Sequence, residues 1–173
     1  EAGAFVIPTL AVASRFEPEP VAPPLAEDPA FAPFYNFAEV SHLGKSFPVR
    51  PGSPSRFQHA LDAVRSLHAA GVPILAGTDA PNPGTVHGAS LHQEMELLVK
   101  AGLTPAEALA AATSAPADAF GLDDRGRIAP GLRADLLLVE GDPTTEITAT
   151  RAIRRIWKGG HPVARPRTER TGE

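Results

Sequence analysis

The sequence predicts an α/β chain: a strand–helix–strand unit, then several helices, then a small all-β piece. Three observations predict it. The run Val72-Pro73-Ile74-Leu75-Ala76-Gly77 is apolar, long enough to cross a sheet and too short for a helix. An amphipathic segment over 55–70 leads straight into it through Gly71. Beyond Asp123 the spacing of apolar residues changes from helical to alternating, which the same parallel sheet cannot absorb by simple βα succession.

Taken in order, residues 4–10 form a second short strand candidate, which Pro8 ends or bulges. Ten of the nineteen prolines lie between Pro8 and Pro54, so no regular element continues through 17–54. This stretch reads as a long irregular segment with a short helix around 34–40. Its aromatic cluster, Phe31, Phe34, Tyr35 and Phe37, favours a lid packed on the body over a proline-rich linker. In 55–70, Phe57, Ala60, Leu61, Val64, Leu67 and Ala70 recur at helical spacing, with Ser53 or Ser55 as the cap and Gly71 as the stop. His59 and His68 fall on this helix and read as surface positions.

After the run at 72–77, the residues Pro81, Asn82, Pro83 and Gly84 break the chain into a loop. A helix then runs from Ser90 or Leu91 to Ala101, with Ser90 and Gln93 as its capping box and Leu91, Met95 and Leu98 as its buried stripe. Thr104-Pro105-Ala106-Glu107 opens another helix with cap, proline and glutamate in the favoured positions. A short helix follows from Ser114 to Gly121. Strands are expected over 134–139, 153–158 and 161–163, the last two joined by a Gly159-Gly160 hairpin.

The composition excludes several classes. The 43% of hydrophobic residues rules out wholesale disorder, and no apolar run approaches a membrane span. The absence of cysteine removes disulfides and thiolate metal sites, so any metal must be held by histidine and carboxylate. The formal charge of −4 argues against nucleic acid. Seven of the sixteen basic residues follow position 150, and read as a solvated strand face and a frayed tail. The start at Glu1-Ala2-Gly3 suggests a fragment or a processed product, and a cytoplasmic location is the expectation.

Asp79 ends the run at 72–77. A carboxylate at the carboxyl end of a buried parallel strand lies on the edge where α/β folds bind ligands. Asp also caps loops through its own backbone, so spacing alone leaves both roles open. No His-x-His, His-Glu-x-x-His, Gly-x-Ser-x-Gly or P-loop is present. A catalytic zinc needs three protein ligands and an open position, and this chain offers one at best.

The residues nevertheless resemble a known family. Ala76-Gly77-Thr78-Asp79-Ala80, then His87-Gly88-x-Ser90-x-His92-x-Glu94-x-Glu96-Leu97-Leu98, then Ala101-Gly102-Leu103-Thr104-Pro105-x-Glu107-Ala108-Leu109 are similar to the amidohydrolase superfamily. The nearest branch is that of the imidazolonepropionase-like and Xaa-Pro dipeptidase (prolidase-type) enzymes. Gly126-x-Ile128-x-x-Gly131-x-x-Ala134-Asp135-Leu136, Gly141-Asp142-Pro143 and Trp157-Lys158-Gly159-Gly160 resemble the family's closing β-sandwich.

The resemblance implies the C-terminal part of a (β/α)8 barrel over 1–122, with residues 4–10 and 72–77 as strands seven and eight. It implies part of a β-sandwich over 123–165 and a flexible tail at 166–173. It makes Asp79 the strand-eight acid that ligates one or two zinc ions and exchanges a proton with the attacking water, and His87 a substrate-binding candidate. The family's remaining metal ligands would lie upstream of Glu1. The implied activity is hydrolysis of an amide, dipeptide or cyclic amide C–N bond in a small molecule. The missing half would come in cis or on a partner chain, and a homo-oligomer is a further candidate assembly. The isolated chain is expected to be inactive. The competing reading is a non-catalytic half-barrel that serves binding or assembly.

Overall fold

A computed structural model describes residues 3–19, 21, 25–50 and 52–164; the expected tail lies outside them. The helices are α1 (Leu10–Ala13), α2 (Phe37–Leu43), α3 (Phe57–Ala69), α4 (Ala89–Ala101), α5 (Pro105–Ala112) and α6 (Ser114–Ala119). The strands are β1 (Leu136–Val139), β2 (Ile153–Lys158) and β3 (His161–Pro162), which form one antiparallel sheet in that order. Gly159 and Gly160, both at positive φ, make the two-residue hairpin between β2 and β3.

The two strands expected at 4–10 and 72–77 shrink to a single parallel bridge between Val6 and Ile74. The cause is chemical. Val6 N–H donates to the Pro73 carbonyl and Leu75 N–H to the Val6 carbonyl, both at 2.9 Å. The next donors on either side of that pair would be the nitrogens of Pro8 and Pro73, which carry no hydrogen. Direction and neighbour are as expected, but the ladder stops after one rung. Leu10, counted within the first strand, instead opens α1.

Three further expectations are corrected. Neither Ser53 nor Ser55 caps α3; Arg56 is the cap residue, and its N–H donates to the Glu17 carboxylate at 2.9 Å, 39 positions earlier. The Ser90/Gln93 capping box does not form. Ser90 turns its hydroxyl back to accept the Val86 N–H at 2.9 Å, and α4 starts after Gly88. The helix placed around 34–40 runs over Phe37–Leu43, because Asn36 and Glu39 make a reciprocal capping box that sets its start. The box at Thr104 and Glu107 forms as read.

Helix α4 is the centre of the molecule. Its apolar residues Met95, Leu97, Leu98 and Ala101 join Leu10, Phe57, Leu61, Val64, Ile74, Leu103, Ala108, Ala111 and Ile147 in one core. A second, smaller core of Leu25, Phe31, Leu43, Val86 and Ala89 seats the proline-rich segment on the start of α4. Phe31, Tyr35 and Phe34 do not behave as one cluster with Phe37, which is 90% exposed. No helix among the described residues is long and apolar enough to cross a membrane.

Candidate active site

Asp79 follows the parallel bridge by five residues and leaves it in the direction expected of a strand's carboxyl end. Its backbone is left-handed, with φ 51°, a region that residues with a Cβ seldom occupy. The conformation turns the chain into the Ala80–Pro81 cis peptide and the loop beyond. The side chain is exposed, and among the described residues no group hydrogen-bonds its carboxylate. What holds Asp79 is its backbone: the Asn82 side-chain Nδ2 donates to its carbonyl at 2.7 Å.

The strand that delivers Asp79 approaches its neighbour closely. A Cβ on Gly77 would run into Ile7 Cγ2, so a larger residue there has to displace the Ile7 side chain. The loop is equally confined. Gly84 has φ 77°, and a Cβ there would meet Arg15 Cδ and Nε at 2.6 Å and the Lys45 carbonyl at 2.7 Å. Thr85, fully buried, exchanges hydrogen bonds with Asn82: it accepts from the Asn82 N–H at 3.1 Å and donates its hydroxyl to the Asn82 carbonyl at 3.0 Å.

The proline-rich segment closes over this loop. The imidazole Nε2 of His42, on α2, lies 2.8 Å from the Asn82 carbonyl oxygen. A carbonyl only accepts, so Nε2 carries the proton. Gly84 N–H donates to the His42 carbonyl at 3.1 Å. The far end of the segment is tied down by Phe47, whose ring stacks on Phe16 at 4.0 Å and whose N–H donates to the Arg15 carbonyl.

His87 lies in the same loop as Asp79, two residues before α4, and is exposed. The other conspicuous polar residues of α4 are spent on structure. Glu94, fully buried, accepts the amides of Leu10 and Ala11 at 3.0 and 2.6 Å and so caps α1. Burial pushes its carboxyl up to about 7, outweighing the two amide donors that favour the anion. His92 packs against the Phe31 ring and lies 2.9 Å from Thr150 Oγ1. That hydroxyl donates to the Ile147 carbonyl, so His92 Nδ1 is the donor. Burial, helped by the Arg151 cation, pulls His92 down to about 4. Glu96 takes a two-pronged contact from Arg151 at 2.6 and 2.7 Å, and Arg151 also bonds Asp28 of the proline-rich segment.

Among the described residues no three histidine, aspartate or glutamate side chains converge as a metal cage. Asp79 offers one carboxylate with no hydrogen-bond partner among the described residues. Asn82 and His42 were not apparent from sequence. Pro81-Asn82-Pro83-Gly84 marks a loop but does not show that its asparagine turns back on Asp79, and nothing local ties His42 to a residue 40 positions on.

The order of elements, with a parallel bridge among the helices and a small antiparallel sheet after them, fits part of an α/β barrel followed by a small β piece. The amidohydrolase family model matches residues 38–163, and the chain belongs to that family. Over 86 residues it is 46% identical to an imidazolonepropionase of Cereibacter sphaeroides, covering 49% of this chain and 22% of that protein. It is 37% identical over 126 residues to an imidazolonepropionase of Deinococcus deserti, covering 70% and 28%. A solved Xaa-Pro dipeptidase with methionine in its active site superposes with a TM-score of 0.65 at 25% identity, over 93% of this chain and 34% of that one. The chain thus spans about a fifth to a third of the length of these relatives. They fall on the imidazolonepropionase and prolidase branch that the motifs indicated, and the family in general uses a divalent metal.

Proposed function

We propose that this chain is the C-terminal part of a metal-dependent hydrolase that cleaves a C–N bond in a small amide, dipeptide or cyclic amide. The observation that carries the reading is Asp79: an exposed, unengaged carboxylate at the exit of a parallel strand segment, inside the Gly77-Thr78-Asp79 motif. Residues 1–122 form the barrel part and 123–165 part of a β-sandwich. The remaining strands and ligands come from elsewhere in the same polypeptide or from a partner chain.

Asp79 supplies one ligand and a proton shuttle. A bound divalent cation, zinc in this reading, supplies Lewis-acid activation of water. Asp79 takes the proton that water loses and delivers it to the departing nitrogen, as a carboxylate can when its geometry is held. His87, exposed in the same loop, contacts substrate.

Metal analysis of the full-length protein tests this. Stoichiometric zinc and amide hydrolysis, both lost in Asp79→Ala, are the expected result. The 173-residue chain alone is expected to bind zinc weakly and to hydrolyse nothing. A full-length protein without metal, unchanged by Asp79→Ala, would leave the non-catalytic assembly module standing instead.

A further inference from the structure

We propose that Asn82 and, through it, His42 are positioning residues for Asp79. The inference rests on the role given to Asp79 above and names what holds that residue in its working geometry. The left-handed backbone of Asp79 is a region that few residues with a Cβ occupy, and an aspartate there is held by local hydrogen bonds. One such contact is explicit: Asn82 Nδ2 donates to the Asp79 carbonyl at 2.7 Å. If that bond is lost, φ returns toward negative values and the carboxylate swings away from the strand exit.

Asn82 can hold Asp79 only if it is itself held. Its carbonyl accepts from His42 Nε2 at 2.8 Å, from the Thr85 amide at 2.9 Å and from the Thr85 hydroxyl at 3.0 Å. Three donors on an oxygen with two lone pairs make the anchor redundant. Losing His42 therefore loosens Asn82 rather than freeing it. The chain His42–Asn82–Asp79 also makes the proline-rich segment a structural part of the site, because α2 carries His42. The loop would otherwise follow Asp79 with nothing to orient it from that side.

The test uses the full-length, zinc-loaded protein with five variants: Asp79→Asn, Asn82→Asp, Asn82→Ala, His42→Leu and His42→Gln. Aspartate keeps the shape of Asn82 and cannot donate, so Asn82→Asp should lower kcat on the order of 10–100-fold with KM little changed. It should also weaken zinc binding in a chelator competition, while the thermal midpoint stays near that of the parent. Asn82→Ala should match it. His42→Leu should cost roughly threefold to tenfold, and His42→Gln, whose amide nitrogen can replace Nε2, should recover most of that loss. A crystal structure of Asn82→Asp should show Asp79 outside the left-handed region.

Parental kcat and zinc affinity in Asn82→Asp, beside an inactive Asp79→Asn, would overturn the positioning role and leave the proposed function intact. Asp79 at an unchanged positive φ in the Asn82→Asp crystal would overturn it on structural grounds. Full turnover in Asp79→Asn would remove the proposed function and the positioning role together.

Discussion

Ile7 Cγ2 stands in the space that a Cβ on Gly77 would need. The contact lies just beyond the bridge that joins the two parallel segments. Gly77→Ala should force them apart and lower stability by about 1–3 kcal/mol, the usual cost of overpacking. Urea denaturation measures this. Adding Ile7→Ala should return part of the loss, a non-additivity that contact between the two positions requires.

Arg151 joins three stretches of chain that are remote in sequence: Asp28, Glu96 on α4, and its own turn over Ile147–Arg151. All three side chains are about a fifth exposed or less, so solvent screens them poorly. Arg151→Met leaves two carboxylates facing each other without a cation and should cost about 2–4 kcal/mol. The Asp28→Asn, Arg151→Met, Glu96→Gln triple variant should recover much of it. A triple variant no more stable than the single one would mean that the loss comes from packing of the arginine stem.

Glu94 should make the fold less stable as pH rises. Its folded pKa is raised from about 4.5 to about 7, so the folded state keeps the proton longer. The stabilisation is fully present below about pH 4.5 and is lost as pH climbs through about 7, to the extent of roughly 3 kcal/mol. Glu94→Gln, measured by urea denaturation from pH 4 to 8, should remove this contribution.

His92 should act in the opposite sense over nearly the same range. Its folded pKa is depressed to about 4 from an ordinary 6.5, so the unfolded chain takes up the proton first. Its contribution is fully present above about pH 6.5 and is lost as pH falls toward about 4, again by roughly 3 kcal/mol. With both groups present the slopes largely cancel, so the parent should vary little between pH 4.5 and 6.5. Glu94→Gln should then expose a stability that rises with pH, and His92→Asn one that falls. Parallel slopes in the two variants would contradict the assignment.

Much of the site was legible because it is encoded locally. The Thr104–Glu107 capping box forms within four residues, and Gly71 ends α3 as read: its N–H and that of Val72 donate to the His68 and Leu67 carbonyls. The placement of Asp79 after a parallel segment followed from the apolar run at 72–77. The roles of His92, Glu94 and Glu96 were not legible, because their partners lie elsewhere in the chain: Leu10 and Ala11 for Glu94, Thr150 for His92 and Arg151 for Glu96. One signal was available. Leu91, Met95, Leu97, Leu98 and Val99 leave α4 no fully polar face, so it had to be buried nearly all round, and its polar side chains had to find partners inside.

The sequence by itself determined the helices from α3 to α6, the glycines that close them, the hairpin at Gly159-Gly160 and the family. These depend on periodicity, on caps a few residues apart, and on motifs whose spacing is fixed along the chain. Only the tertiary structure decided that the parallel ladder stops at one rung, that α3 takes its cap from Glu17, and that Asp79 is held by an asparagine which a histidine from the proline-rich segment holds in turn. Each of those is a hydrogen bond between groups whose separation in space is unrelated to their separation in sequence, or the absence of one where proline has no hydrogen to give.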